Sequence, residues 1–121
     1  MQHPCHIRLM GDVMIGRSVN KKISQEGYSY PWGNVLPYLR KAGINIINLE
    51  AALTGSSRQV PKVFNFKADP DKVITLREAH IQAVNIANNH ILDFEEEGLL
   101  ETIRILDRAG IQHAGAGRTL A

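Results

Sequence analysis

One cysteine, Cys5, is all that this 121-residue chain contains. An internal disulfide framework is thereby excluded, and a reduced or exposed thiol is the expectation. Long apolar runs are missing too: nothing approaches the roughly 18 residues of a membrane span. The opening "MQHPCHIRLMGD" moves almost directly into a strand and is no signal peptide. Neither absence fixes a compartment, and a membrane-associated or a cytoplasmic full-length protein is compatible with both. A net charge of +2 with 21% charged residues includes no basic run, so no nucleic-acid partner is expected. Internal repeats, low-complexity stretches and linkers are absent. At 44% hydrophobic residues, the chain suffices for one modest globular domain.

What is present is alternation of strand and helix signals. Residues 6–12, "HIRLMGD", read as a strand ended by Gly11-Asp12. Arg17 to Glu26 is polar and helical, stopping at Gly27. "YSYPWGN" (28–34) is rich in turn formers, and Asn34 is placed to cap a helix with Val35, Leu36, Leu39 and Ala42 on one face. Gly43 closes that helix. "INIINLE" (44–50) is a second strand, followed by the polar loop "TGSSRQVPK" (54–62). "VFNFKA" (63–68) alternates as a short strand, and Asp69-Pro70 starts a helix with Val73, Leu76 and His80 on one side. "IQAVNIAN" (81–88) is a third strong strand. Leu99, Ile103 and Leu106 stripe a helix running to Gly110, and "IQHAGAG" (111–117) reads as a last strand. This order predicts an α/β fold with a mostly parallel sheet.

Polar residues fall at the strand ends. Asp12 follows the first strand, Glu50 the second, and Asn88-Asn89-His90 the third, with Asp93 three residues on. Ligands of open α/β sheets bind beyond the carboxyl ends of strands, so these ends can converge. Carboxylates, a carboxamide and an imidazole suit a divalent cation such as Mn²⁺, Zn²⁺ or Fe²⁺. Singly, each has a plainer reading. Asp12 serves as a turn former, Glu50 as a solvated residue leaving the sheet, and Asn88 or Asn89 as a left-handed turn residue. A lone His90 is more often a hydrogen-bonded turn residue than a ligand. His3, His6, His80 and His113 take the plain reading. The coincidence of three strand ends carries the inference.

In order along the chain, "GDVMIGR" (11–17), "INLEAALT" (47–54), "FNFKADP" (64–70), "VNIANNHILDF" (84–94) and "GIQHAGAGRTLA" (110–121) resemble the CapA-like family of poly-γ-glutamate capsule synthesis proteins. That family belongs to the calcineurin-like metallophosphoesterase superfamily. The resemblance implies the first half of an α/β/β/α sandwich, and residues 1–121 as the amino-terminal part of a single domain truncated at its carboxyl end. It also implies roles. Asp12 matches the first metal-binding acid, Glu50 stands where the superfamily has a metal-bridging aspartate, and Asn89 matches an amide-oxygen ligand. His90 matches the residue that contacts substrate phosphate and protonates the leaving group, with Asp93 orienting it.

Two departures accompany the resemblance. The family's later histidines, in a Gly-His-x-x-His pattern, are not in this chain, and "DFEEEGL" (93–99) replaces an Asp-aromatic-Gly turn. The leading expectation is a metal-dependent phosphoester hydrolase-type site in a protein of capsule or poly-γ-glutamate biosynthesis. Its substrate would be a phosphoester or an anionic polymer, its partners other subunits of a capsule synthesis complex. The fragment alone is expected to be inactive and prone to self-association. The alternative is a non-catalytic accessory or scaffold subunit that binds an anionic polymer or partner proteins. A nucleotide-binding domain is disfavoured, because "GDVMIG" has neither a P-loop Lys-Ser/Thr nor G-x-G-x-x-G spacing.

Overall fold

The structure, a computed structural model, describes residues 4–119; His3 and the last two residues of the 110–121 motif lie outside them. Four strands form a wholly parallel sheet in the order β1 (Ile7–Val13), β2 (Ile44–Leu49), β5 (Ile81–Asn85), β6 (Gln112–Ala114). Two short strands, β3 (Ala52–Leu53) and β4 (Lys67–Ala68), pair in parallel as a separate ribbon. The helices are α1 (Arg17–Glu26), α2 (Leu36–Leu39), α3 (Val73–Glu78) and α4 (Glu95–Arg108). The expected α/β architecture with a mostly parallel sheet is therefore the observed one.

Ile47, Leu49 and Val84 of the sheet bury against Ile23, Leu76 and Leu106 of the helices, so aliphatic side chains make the core. The opposite sheet face carries Ile7 and Leu9, 59% and 77% exposed, in register with Ile44 and Ile46. Buried Asn45 ties the layers together. Its amide donates to the carbonyls of Leu39, Ala79 and His80, and its oxygen accepts from Arg8. No helix among the described residues is long and apolar enough to cross a membrane.

Several boundaries differ from the sequence reading, each for a local reason. Asp12 does not follow the first strand but lies inside it. The helix expected after Asn34 spans only Leu36–Leu39, because Tyr30–Val35 already forms a 3-10 turn. Pro31 begins that turn, Trp32 Nε1 donates to the Thr75 carbonyl at 2.9 Å, and Asn34 caps nothing. Val35 is accordingly exposed. His80 falls past the end of α3 at φ 54° and is exposed, rather than sharing the face of Leu76. The strand expected over 63–68 shrinks to Lys67–Ala68, since Asn65 and Phe66 bond instead to the turn at Asp93.

Candidate functional site at the strand ends

A β-bulge sets the position of Asp12. In β1, Leu9 pairs with Ile46 but Asp12 pairs with Asn48, so three residues of β1 span two of β2. Strict alternation would put Asp12 on the face of Arg8 and Met10. The extra residue turns it to the other face, as bulges do. There Asp12, Asn48 and Asn85 lie side by side across three strands. Asn48 Nδ2 donates to Asp12 Oδ1 at 2.7 Å, while Asn48 Oδ1 accepts from Asn85 and Asn88 at 2.7 and 3.1 Å.

Asn88 carries the network into the turn after β5. Its Nδ2 also donates to the Leu49 carbonyl at 2.8 Å, and its Oδ1 accepts the His90 backbone N–H at 3.0 Å. His90 is buried, and its Nδ1 sits 2.5 Å from Asp93 Oδ2. Asp93 is 1% exposed and fully engaged. Lys62 Nζ donates to its Oδ1 at 2.6 Å and the Phe66 N–H to its Oδ2 at 2.8 Å. Burial pushes the Asp93 carboxyl up, but Lys62, His90 and the Phe66 N–H outweigh it and hold the group below its ordinary value of 3.8. An ionised Asp93 only accepts, so His90 Nδ1 bears the hydrogen and donates it. The other ring nitrogen, Nε2, is then the one that faces Glu50 Oε1 at 3.7 Å and Asn89 Nδ2 at 3.4 Å. Phe66 stacks on the imidazole, centroids 4.0 Å apart and 26° between planes.

The structure thus gathers Glu50, Asn89, His90 and Asp93 directly, and reaches Asp12 through Asn48 and Asn88. Glu50 follows β2 immediately, its N–H bonded to the Val13 carbonyl at 3.1 Å. The donors fit a hard divalent cation in kind, being carboxylate and amide oxygens that no strong hydrogen bond claims at Glu50. They do not fit in number. Among the described residues no group of three or more His, Cys, Asp or Glu side chains is placed to hold a metal ion.

Sequence reasoning missed Lys62, Phe66, Asn48 and Asn85. Lys62 sat at the end of a stretch read only as a polar loop, and nothing local marks it. Phe64 and Phe66 alternate in "VFNFKA", which signals a shared face but not a histidine beneath it. Asn48 and Asn85 each occupy strand positions where an apolar residue is ordinary, and two amides in adjacent strands were the available signal.

Comparison with known proteins bears on the same segments. The family model described as "Bacterial capsule synthesis protein PGA_cap" matches residues 6–121. A "Probable polyglutamine synthesis accessory protein" of Mycobacterium tuberculosis (strain CDC 1551 / Oshkosh) is 35% identical over 114 residues, covering 91% of this chain and 30% of that protein. "Capsule biosynthesis protein CapA" of Bacillus anthracis is 28% identical over 113 residues, covering 90% of this chain and 28% of its own length. "PGA biosynthesis protein CapA" of Bacillus subtilis (strain 168) is 27% identical over 114 residues, covering 93% and 30%. The chain therefore spans less than a third of the length of these relatives.

Proposed function

The chain belongs to the bacterial capsule synthesis protein family PGA_cap, and from that premise we propose that it carries the acid and part of the metal shell of a phosphoester hydrolase-type site in a protein of capsule or polyglutamate synthesis. The observation that supports this most is the His90–Asp93 pair, buried, clamped by Lys62 and flanked by Glu50 and Asn89. Asp12, Glu50 and Asn89 would hold a divalent cation, Mn²⁺, Zn²⁺ or Fe²⁺, with the remaining donors supplied from outside the described residues. Such a cation would supply Lewis-acid polarisation of a phosphoryl oxygen.

The chain's own residues do the rest. Asp93 fixes the imidazole through Nδ1 and leaves Nε2 facing Glu50 and Asn89. Protonated there, His90 gives its Nε2 proton to the departing oxygen as a water oxygen bonds to phosphorus, losing its own proton to solvent, and the old phosphorus–oxygen bond breaks; His90 ends as the neutral imidazole. General-acid help of this kind contributes about 10²–10⁴ in rate. Phe66 covers one ring face and holds the imidazole in that orientation.

A second reading has its own support. The mycobacterial relative is named an accessory protein, and among the described residues the acids and imidazoles do not by themselves assemble a metal cluster. On that reading the same strand ends bind an acidic polymer without hydrolysing anything. Metal content and hydrolysis of bis(p-nitrophenyl) phosphate, measured on the complete protein with and without chelator, separate the two. Bound divalent metal with chelator-sensitive turnover is the expected result. A metal-free protein with no turnover at any added Mn²⁺ would leave the accessory reading.

A further inference from the structure

Beside the His90 site, the segment after β1 opens a cleft of about 580 Å³ lined by Met14, Arg17, Ser18 and Lys21. Two of its four lining residues are cationic. Among the described residues neither Arg17 nor Lys21 has a carboxylate partner, unlike Lys22, Arg40, Arg58, Lys62 and Lys72, each of which sits in an ion pair. Uncommitted cations on a concave wall are the chemistry of oxyanion recognition.

Arg17 is also held in place. Its guanidinium lies 5.6 Å from the Phe64 centroid and 5.9 Å from that of Phe66, and Phe66 stacks in turn on His90. A single aromatic ring therefore separates this cation from the candidate acid. The contact depends on Gly16, where an added Cβ would lie 2.4 Å from the Lys67 carbonyl oxygen. Only a residue without a side chain lets β4, and Phe66 before it, come this close to α1. Arg17 itself sits at φ 52°, a left-handed conformation that is unusual outside glycine and aligns here with a position beside the site.

We infer that this cleft is an oxyanion subsite, in which Arg17 and Lys21 bind carboxylate or phosphate groups of an acidic ligand and lead it past Phe66 to His90. The inference deepens the functional reading above and rests on it for the role of His90. The binding itself needs neither metal nor turnover. Arg17 supplies the planar fork that reads two oxygens at once, and Lys21 a mobile point charge one helical turn along.

The test is binding to the metal-free full chain, isotope-labelled and followed by NMR, with two probes: inorganic phosphate and a glutamate decamer. Saturable shifts centred on residues 14–21 are expected, weakened about tenfold or more in the Arg17→Gln, Lys21→Gln double variant and by about threefold in Arg17→Lys, which keeps the charge but loses the fork. Arg104→Gln, which removes an exposed cation of α4 that does not line the cleft, should leave the affinity within about twofold. A decamer that binds much more tightly than phosphate assigns the subsite to a carboxylate polymer, and the reverse order to a phosphoester. Loss of hydrolysis in the complete protein with this binding intact would sink the catalytic reading alone. Shifts that scatter over the surface, or that survive the double variant, would overturn the subsite.

Discussion

Lys62 Nζ lies 2.6 Å from Asp93 Oδ1, on the side of the carboxylate opposite His90, and donates also to the Asn89 carbonyl at 2.7 Å. One lysine from a surface loop thus clamps both the acid that orients His90 and the backbone of a proposed ligand. The carboxylate is 1% exposed while the lysine side chain is 33% exposed, so the lysine reaches in from solvent. Removing one partner of a buried pair leaves a buried charge uncompensated, which costs about 3–5 kcal/mol when nothing else answers it.

Lys62→Met is therefore expected to destabilise the protein by about 2–3 kcal/mol, less than that full cost because Phe66 and His90 still engage Asp93. Urea denaturation measures it. The Lys62→Met, Asp93→Asn double variant should recover part of the loss, since the orphaned charge goes with its partner. A double variant whose losses simply add would show that the pair does not couple.

Asp93 also sets an acid limit. Its carboxyl is held below the ordinary 3.8 in the folded state. A depressed carboxyl contributes stability that is fully present above the unfolded value near ~4 and lost as pH falls through the lower folded value. Urea midpoints should then fall more steeply below about pH 4 in the wild-type chain than in Asp93→Asn. Equal slopes would show that Asp93 is not selectively stabilised as the anion.

The legible and illegible parts of the sequence divide along physical lines. Amphipathic α1 and α4, and strands β2 and β5, show in the pattern because burial of one face dictates it. Glu50, Asn89, His90 and Asp93 were visible because polar groups at the end of an apolar strand need partners. The facing of Asp12 was not, because a bulge shifts alternation by one residue without changing composition. Lys62 was hidden for another reason: its partner, Asp93, lies 31 positions away, and no local period records such a contact. The 3-10 turn at Tyr30–Val35 won over the expected cap at Asn34 through the tertiary anchor of Trp32 on Thr75.

The turn after His90 supplies a third prediction. Glu95 adopts φ 60°, a left-handed backbone conformation that favours glycine. A non-glycine residue there costs about 1 kcal/mol, against which its exposed pairing with Arg58 offers little. Glu95→Gly should raise stability by about 0.5 kcal/mol, or roughly 2 °C in melting temperature. A lower melting temperature would mean that the Arg58 pairing outweighs the strain.

Gly16 supplies a fourth. Gly16→Ala drives a Cβ to within 2.4 Å of the Lys67 carbonyl oxygen, which is backbone and cannot swing aside. A loss of about 1–3 kcal/mol is expected, as for other overpacked positions. It should be accompanied by NMR shifts at Phe66 and His90 as β4 moves away. An alanine accommodated without cost or shift would contradict the close packing of β4 on α1.

The most direct test of the proposed division of labour compares two variants of the complete protein, metal content and phosphodiester turnover being measured on each. His90→Asn should lower turnover about 10²-fold or more while leaving bound metal nearly unchanged, because His90 acts as the acid. Asp12→Ala should lower both together. A His90→Asn protein that loses its metal, beside an Asp12→Ala protein that keeps it, would contradict the assignment of His90 as acid and Asp12 as ligand.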